Sequence, residues 1–393
     1  MLSLLVSILA LGAIIAFHEF GHFIIARLFG VGVIEYAVGM GPRIWSRIRG
    51  NTRYSLRAIP FGGFCMMLSE DLVAAEAETD EKDSEAAEVV VTGDEIIYEG
   101  RHFRKEEQFA AKPAWQRFLV ILAGPVFNFI LAFVLAMIII GYSGIDRPVI
   151  REVDPGMPVA MAGIEAEDEI SGLAAGDRNA RKQTVETARD IMLFMNVHQD
   201  VMEDGGMFTI YYRDHSDGGT LKYAEVTPVR DEALGRNRLG FSYSGTYEKP
   251  KSLGEIMYYG WYDVRFNMRT SLESLRMLIT GKAATTDLMG PVRMVATMDE
   301  TVDSAASYGI AAALMTLMNL MVLISSSLGF MNLLPIPALD GGRLLFILLE
   351  MLSGGRIPKE FEARINWAGT LLLLMLMAFI MFNDIFMLFI GRS

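Results

Sequence analysis

Residues 13–30, AIIAFHEFGHFIIARLFG, place two histidines and a glutamate in the middle of an otherwise apolar run. The run extends from Leu2 to Phe29, which is long enough for a helix to cross the hydrocarbon core of a bilayer. An ionisable side chain at that depth costs roughly 2.5–3.5 kcal/mol or more unless it is paired. The stretch therefore predicts a membrane-spanning helix that carries a functional site.

His18, Glu19 and His22 form the pattern H-E-x-x-H. Residues four apart lie on the same face of a helix, so both imidazoles can bind one zinc ion. Glu19 can then take a proton from water, whose pKa a bound zinc ion lowers to about 7. The alternative is a chance pattern of packed polar side chains without a metal. Two of the chain's five histidines fall in this motif and no neighbour compensates Glu19, so the metal site is favoured.

Three more apolar runs are long enough to span a bilayer: residues 118–142, 308–334 and 367–390. The run at 308–334 also contains Asn319 and Asn332, which is typical of a helix that faces other helices rather than lipid. Hydrophobic residues make up 52% of the chain, more than in ordinary soluble domains, and the net charge of −12 disfavours a nucleic-acid-binding face. The sequence therefore indicates four membrane-spanning helices.

A catalytic zinc site needs a third protein ligand and leaves one position open. The best candidate is Asp340 in SSLGFMNLLPIPALDGGRLLF, residues 326–346. Pro335 and Pro337 break the helix there, and irregular backbone at membrane depth occurs only inside protein or along a cavity. The alternative is an aspartate that only caps a helix N-terminus. Its pairing with the histidine motif makes the ligand role the stronger hypothesis.

Arginine and lysine residues cluster between the first and second runs and again between the third and fourth. By the positive-inside rule these connections face the cytoplasm, which places both termini and residues 144–307 outside. His18, His22 and Asp340 then approach the cytoplasmic side at similar depth.

The stretch RIWSRIRGNTRYSLRAIPFGGF, residues 43–64, predicts a β-hairpin, because two β-rich runs flank the turn dipeptide Gly50-Asn51. Gly62 and Gly63 near its end allow the backbone to approach another element closely.

The remaining segments differ in composition. Residues 70–99 hold twelve acidic residues against one lysine, which predicts a disordered, solvated insert. Residues 149–250 predict a small mixed domain with a helix near 186–197. The aromatic and charged stretch at 255–279 predicts a helix at the membrane surface or, equally well, a helix packed on that domain.

Five long motifs follow one another along the chain. They are FHEFGHF (17–23), IPFGGF (59–64), FAAKPAWQRFLVILAGPVFNFILA (109–132), MGPVRMV (289–295) and MNLLPIPALDGGRLLF (331–346). With these motifs in this order the chain resembles the site-2 proteases, which are zinc intramembrane metalloproteases, and more closely their bacterial RseP-type members.

The resemblance implies a multi-pass α-helical membrane protein with four transmembrane helices, a membrane re-entrant β-hairpin and one extracytoplasmic PDZ-like α/β domain. The expected segments are the first transmembrane helix with HExxH (1–30), the re-entrant β-hairpin region on the cytoplasmic side (31–69), the acidic disordered insert (70–100), the second transmembrane helix with its cytoplasmic lead-in (101–143), the PDZ-like domain (144–250), the interfacial amphipathic helix region (251–307), the third transmembrane helix with NxxPxPxLDG (308–346) and the last transmembrane helix (347–393).

The resemblance also implies residue roles. The implied zinc ligands are His18, His22 and Asp340, the implied catalytic acid/base is Glu19, and the implied substrate-binding residues are Asn332, Pro335, Gly62 and Gly63. The implied reaction is hydrolysis of peptide bonds within transmembrane segments of single-span membrane proteins, such as anti-sigma factors or remnant signal peptides. It takes place in the bacterial cytoplasmic membrane, with the active site toward the cytoplasm.

The PDZ-like domain departs from the family pattern, because Glu167-Asp168 replaces the usual Gly-Asp and no obvious carboxylate-binding loop follows. Peptide binding and size exclusion of bulky substrates are therefore both open roles for it. Two other functions remain as alternatives for the chain, a zinc-binding scaffold without catalysis and a metal transporter. Glu19 disfavours the first. The concentration of polar residues at one depth, rather than along a path, disfavours the second.

Overall fold

The computed structural model describes residues 2–69, 89–232, 234–243, 245–281, 290–355 and 358–390. The α-helices are α1 (Leu2–Leu28), α2 (Ala114–Ser143), α3 (Pro158–Met161), α4 (Ala188–Val197), α5 (Gln199–Glu203), α6 (Leu253–Ile279), α7 (Pro291–Ala306), α8 (Ile310–Leu333), α9 (Asp340–Ser353) and α10 (Lys359–Ile390). Short 3-10 helices cover Lys105–Glu107 and Phe109–Ala111.

The strands are β1 (Val33–Arg49), β2 (Thr52–Met67), β3 (Val89–Thr92), β4 (Glu95–Tyr98), β5 (Arg101–Arg104), β6 (Ile145–Asp146), β7 (Glu152–Val153), β8 (Glu169–Ala175), β9 (Gln183–Thr184), β10 (Phe208–Asp214), β11 (Thr220–Val226), β12 (Val229–Asp231), β13 (Arg236–Arg238), β14 (Phe241–Ser242) and β15 (Tyr247–Glu248). The chain forms two compact units. One contains residues 1–136 and 284–393, and the other contains residues 137–283.

Four helices in the described part of the chain are long and apolar enough to cross a membrane: α1, α2, α8 and α10. They coincide with the four runs predicted from hydropathy. Two of them begin earlier than predicted, α2 at Ala114 and α10 at Lys359, because their first turns are amphipathic and do not register as apolar sequence.

Glycines set the close crossings between helices of the first unit. A Cβ atom at Gly21 in α1 would lie 2.4 Å from the carbonyl oxygen of Ala123 in α2. One at Gly329 in α8 would lie 3.1 Å from the carbonyl oxygen of Pro125. Small residues allow helix backbones to approach where the hydrophobic effect gives no driving force between apolar surfaces. Both α1 and α8 therefore pack tightly on the middle of α2.

Strands β1 and β2 form a hairpin that folds back on itself. Arg49 pairs with Thr52, which confirms the predicted two-residue turn at Gly50-Asn51. Residues 33–38 pair with 63–67 on one side, and these two segments run antiparallel. On the other side, residues 35–38 pair with 53–56, and these two segments run parallel. The resulting four-segment order is 63–67, 33–38, 52–57 and 43–49, so the simple hairpin expected from sequence is a small sheet with residues 63–67 at one edge.

A three-stranded sheet, β3-β4-β5, follows the acidic segment and packs on the base of that hairpin. Ile96 and Phe103 are buried with Ile34 and Leu68, and the Arg101 guanidinium donates to the backbone of Ile34 at 2.6 Å. The prediction of a disordered insert over 70–100 is therefore wrong for residues 89–98. The alternating side chains of Ile96 and Tyr98 in β4 bury one face of the sheet, which outweighs the acidic composition. Residues 70–88 lie outside the described residues.

The second unit contains a four-stranded sheet in the order β11-β10-β8-β9, with antiparallel neighbours. Its core includes Phe194 of α4 and Phe208 of β10, both almost fully buried. Helix α4 begins with a capping box in which Thr187 and Asp190 satisfy each other's backbone amides. The mixed domain and the helix predicted near 186–197 are present.

Helix α6 packs on α4 within this unit. The hydroxyl of Tyr262 donates to Asp190 at 2.7 Å, that of Tyr258 donates to Glu186 at 2.6 Å, and Arg189 pairs with Asp263. Burial raises the pKa of Asp263, and the bond to Glu186 raises the pKa of Tyr258 to about 12. The structure shows this helix packed on the domain, and its location at a membrane surface stays a prediction.

Candidate metal centre

The two histidines of the first helix point into the first unit. His18 and His22 lie one turn apart on α1, and each is 6% exposed. Their Nε2 atoms are 3.3 Å apart. The regular helix through H-E-x-x-H produces this proximity by itself, because residues four apart share a face.

Asp340 is the first residue of α9 and follows the loop that contains Pro335 and Pro337. This loop folds over the helix start, where a Cβ at Gly341 would lie 2.0 Å from the carbonyl oxygen of Leu334. Only glycine leaves room for that turn. The loop thus directs the Asp340 carboxylate toward α1.

The carboxylate of Asp340 meets both histidines. Its Oδ2 atom lies 3.1 Å from His18 Nε2 and 3.4 Å from His22 Nε2. The predicted ligand set is the group of metal-ligating side chains that comes together in the described part of the chain.

These distances fit a zinc ion. Tetrahedral ligands at about 2.0–2.1 Å from zinc are about 3.3 Å from one another, which matches the three separations between His18, His22 and Asp340. Asp340 Oδ2 is buried and has no hydrogen-bond partner among the described residues. An orphaned carboxylate oxygen facing two imidazole nitrogens is the arrangement expected of a cation site.

Helix α2 contacts both histidines from the side opposite Asp340. The sequence did not predict this role for α2. His22 Nδ1 donates to the carbonyl oxygen of Val120 at 2.8 Å, and Asn128 Nδ2 lies 3.2 Å from His18 Nδ1. A Cβ at Gly124 would lie 2.3 Å from His22 Nε2. Residues 120, 124 and 128 therefore line the centre at helical spacing. The available signal was an asparagine inside an apolar span, since polar groups at that depth are usually functional.

Glu19 is fixed by the hairpin. Its Oε2 accepts from the backbone N–H of Cys65 at 3.0 Å, and the Tyr36 hydroxyl donates to the carbonyl oxygen of Ala16 at 2.8 Å. The Cys65 N–H thus faces α1 rather than the neighbouring segment at 33–38. The outer edge of residues 63–67 therefore runs beside Glu19.

The four predicted substrate-binding residues lie in helix α8, in strand β2 and in the loop before α9. Asn332, in α8, is half-buried. Gly62 and Gly63 are glycines at positions where a larger side chain would clash with a neighbouring atom. A Cβ at Gly62 would lie 2.8 Å from the sulfur of Met40, and one at Gly63 would lie 2.8 Å from the carbonyl oxygen of Ala37. Pro335 belongs to the loop before Asp340.

Residues 6–376 match the model of Peptidase family M50. The chain belongs to this family. It is 30% identical over 383 residues to a Clostridium acetobutylicum protein named as a candidate zinc metalloprotease, with 98% of this chain and 97% of the relative covered. It is 29% identical over 440 residues to the regulator of sigma-W protease RasP of Bacillus subtilis and 28% identical over 440 residues to the zinc metalloprotease RasP of Bacillus licheniformis, with 98% of both chains covered in each case.

Membership of family M50 confirms the resemblance drawn from the five motifs. The protein is a zinc metalloprotease with membrane-spanning helices, and its metal cofactor is Zn²⁺.

Proposed function

We propose that the protein hydrolyses peptide bonds within the transmembrane segments of single-span membrane proteins. The observation that carries this proposal is the position of the metal centre. His18 and His22 lie within α1, and the α2 face around Gly124 packs against them, so the centre is surrounded by two helices of membrane-spanning length. A protease that acted only on soluble peptides would have no need to bury its histidines in a span.

In this proposal His18, His22 and Asp340 hold the zinc ion. A zinc ion held by these residues would supply Lewis-acid chemistry, which polarises a carbonyl and makes water a nucleophile at neutral pH. Glu19 takes a proton from the attacking water and donates it to the leaving amine. The Cys65 N–H orients one oxygen of Glu19, which leaves the other free for proton transfer.

Substrate binding is proposed at the outer edge of residues 59–67. A transmembrane helix hides its carbonyls in internal hydrogen bonds, so the substrate must unwind before cleavage, and an unwound segment can pair with an open strand edge. No described strand pairs with this edge, and it passes Glu19 at Cys65. Gly62 and Gly63 shape the edge, while Asn332 and Pro335 face the substrate backbone from the other side. The hairpin is then a re-entrant element of the membrane.

We further propose that residues 144–250 are a PDZ-like domain outside the cytoplasm and that the metal centre opens toward the cytoplasm. The clusters of arginine and lysine between the spans support this orientation. The domain either binds substrate peptides or excludes bulky ectodomains. Anti-sigma factors and remnant signal peptides are the proposed substrate classes. The first is supported by a relative whose name is regulator of sigma-W protease.

The test uses purified full-length protein, a single-span model substrate and a zinc assay. Glu19→Gln is expected to keep roughly one zinc ion but to lose at least about 100-fold of the cleavage rate, because general acid–base catalysis contributes that much or more. Asp340→Ala is expected to lose zinc as well. Glu106→Gln, the same substitution at an exposed site, is the matched control. Normal cleavage by Glu19→Gln rules out the mechanism, and zinc binding without cleavage by the wild type supports a scaffold instead.

A further inference from the structure

The far side of the His18 imidazole faces a completely buried amide. Asn128 is 0% exposed, and its side chain is 3.2 Å from His18 Nδ1. The backbone carbonyl oxygen of Asn128 accepts from the hydroxyl of Ser325 at 2.8 Å, which ties this point of α2 to α8. Neither contact is needed by the reaction as described above.

The ring protons of the two histidines follow from their neighbours. A backbone carbonyl only accepts hydrogen bonds, so the contact with Val120 places the His22 proton on Nδ1 and leaves its Nε2 lone pair free for a metal. His18 faces the same centre through Nε2. A neutral His18 that ligates through Nε2 must likewise carry its proton on Nδ1, and that N–H needs an acceptor.

Asn128 can supply this acceptor. As oriented, its Nδ2 is nearest to His18, while its Oδ1 is buried and has no hydrogen-bond partner in the part of the chain that the structure describes. Turning the amide by half a rotation exchanges two atoms of almost equal size and brings Oδ1 to the His18 Nδ1–H. In the rotated amide, the buried Oδ1 gains a hydrogen-bond donor and the His18 Nδ1–H gains an acceptor.

We propose that Asn128 is a positioning residue that accepts a hydrogen bond from His18 Nδ1–H and thereby holds the ring with Nε2 directed at the zinc ion. It acts on the metal through His18 and touches neither zinc nor substrate. With Val120, it makes α2 the helix that orients both histidines. The proposal rests on the zinc ligands of the proposed function.

The experiment measures zinc affinity by competition with a chromogenic chelator and follows thermal unfolding of the zinc-free full-length protein. Asn128→Leu and Asn128→Ala remove the acceptor with different changes of volume. Both are expected to weaken zinc binding by about 10–100-fold, the usual effect of losing such a partner. Asn128→Asp keeps an acceptor and is expected to stay within about threefold of wild type.

Ser326→Ala is the matched control, because Ser326 Oγ is also buried and no described residue makes a hydrogen bond with it. It is expected to bind zinc as wild type does. If one apolar variant fails to fold, the other carries the comparison.

Two results would overturn the proposal. The first is wild-type zinc affinity in a folded variant without the acceptor. The second is an equal loss of zinc affinity in Asn128→Asp and Asn128→Leu, accompanied by lower stability of the zinc-free protein. That pattern would show that the loss comes from disrupted packing around residue 128. Failure of the wild type to bind zinc is a separate result, and it contradicts the metal centre rather than the role of Asn128.

Discussion

Replacing Gly124 by alanine adds one methyl carbon to the face of α2 that looks at the metal centre. The added carbon would lie 2.3 Å from His22 Nε2 and 2.8 Å from His18 Cε1. Ordinary contacts begin near 3.4 Å, so the rings or the helix must move by about 1 Å. Alanine is a better helix former than glycine by about 1 kcal/mol, so the helix itself does not explain a loss.

The expected loss comes from the displaced ligands. Metal–ligand distances tolerate deviations of only about 0.2 Å, and overpacking costs about 1–3 kcal/mol, which corresponds to roughly 5–150-fold in affinity. A misplacement of about 1 Å in an active site can lower the rate by about 100-fold. Gly124→Ala is therefore expected to weaken zinc binding at least about tenfold and to lower cleavage about 100-fold or more.

The assay pairs chelator competition for zinc with cleavage of a single-span model substrate. Gly141→Ala in the same helix is the matched control, because its Cβ would meet only Ile256 Cδ1, at 3.9 Å. That variant is expected to behave as wild type. Wild-type zinc affinity and cleavage in Gly124→Ala would refute the argument that a glycine is required beside the two histidines.

Three other predictions concern stability, measured by thermal unfolding of the full-length protein in detergent. Asp384 in α10 accepts from two backbone amides at the start of α7, so Asp384→Leu should cost about 1–2 kcal/mol, as loss of a helix cap does, and an unchanged midpoint would contradict this. Tyr262→Phe removes a hydrogen bond to the buried Asp190 carboxylate and should cost about 1.5–3 kcal/mol, whereas the exposed control Tyr308→Phe should cost nothing. Burial raises the pKa of Asp263, so the stability contributed by the protonated carboxyl is fully present below about pH 4 and is lost as the pH rises through the raised pKa. Asp263→Asn should therefore gain stability relative to wild type as the pH rises above about 4, and a pH-independent difference would refute this.

The sequence was most informative where the chemistry is local. H-E-x-x-H on a helix places His18 and His22 on one face whatever surrounds them, and the structure has their Nε2 atoms 3.3 Å apart. Asp340 was also predictable, because a carboxylate beside two prolines in an apolar segment has few other uses. The structure brings it to 3.1 Å from His18.

The sequence was least informative about which surfaces meet. Acidic composition predicted disorder through residue 100, yet β4 buries Ile96 against the hairpin. A four-residue strand is too short for its alternating apolar residues to outweigh, in a prediction from sequence, the acidic composition of about thirty residues. The aromatic stretch of α6 fitted a membrane surface and a protein surface equally well, and only the structure shows that its tyrosines donate hydrogen bonds to Glu186 and Asp190.

By itself the sequence determined four apolar helices of membrane-spanning length, the turn of the hairpin and the three side chains proposed as metal ligands, because apolar length, turn chemistry and helical spacing each depend on consecutive residues. Only the tertiary structure decided what holds those ligands. Val120 reaches His22 across 98 positions of chain, and Asn128 reaches His18 across 110. Such pairings arise from how one helix packs on another, and that packing depends on the glycine crossings between helices rather than on any single stretch of sequence.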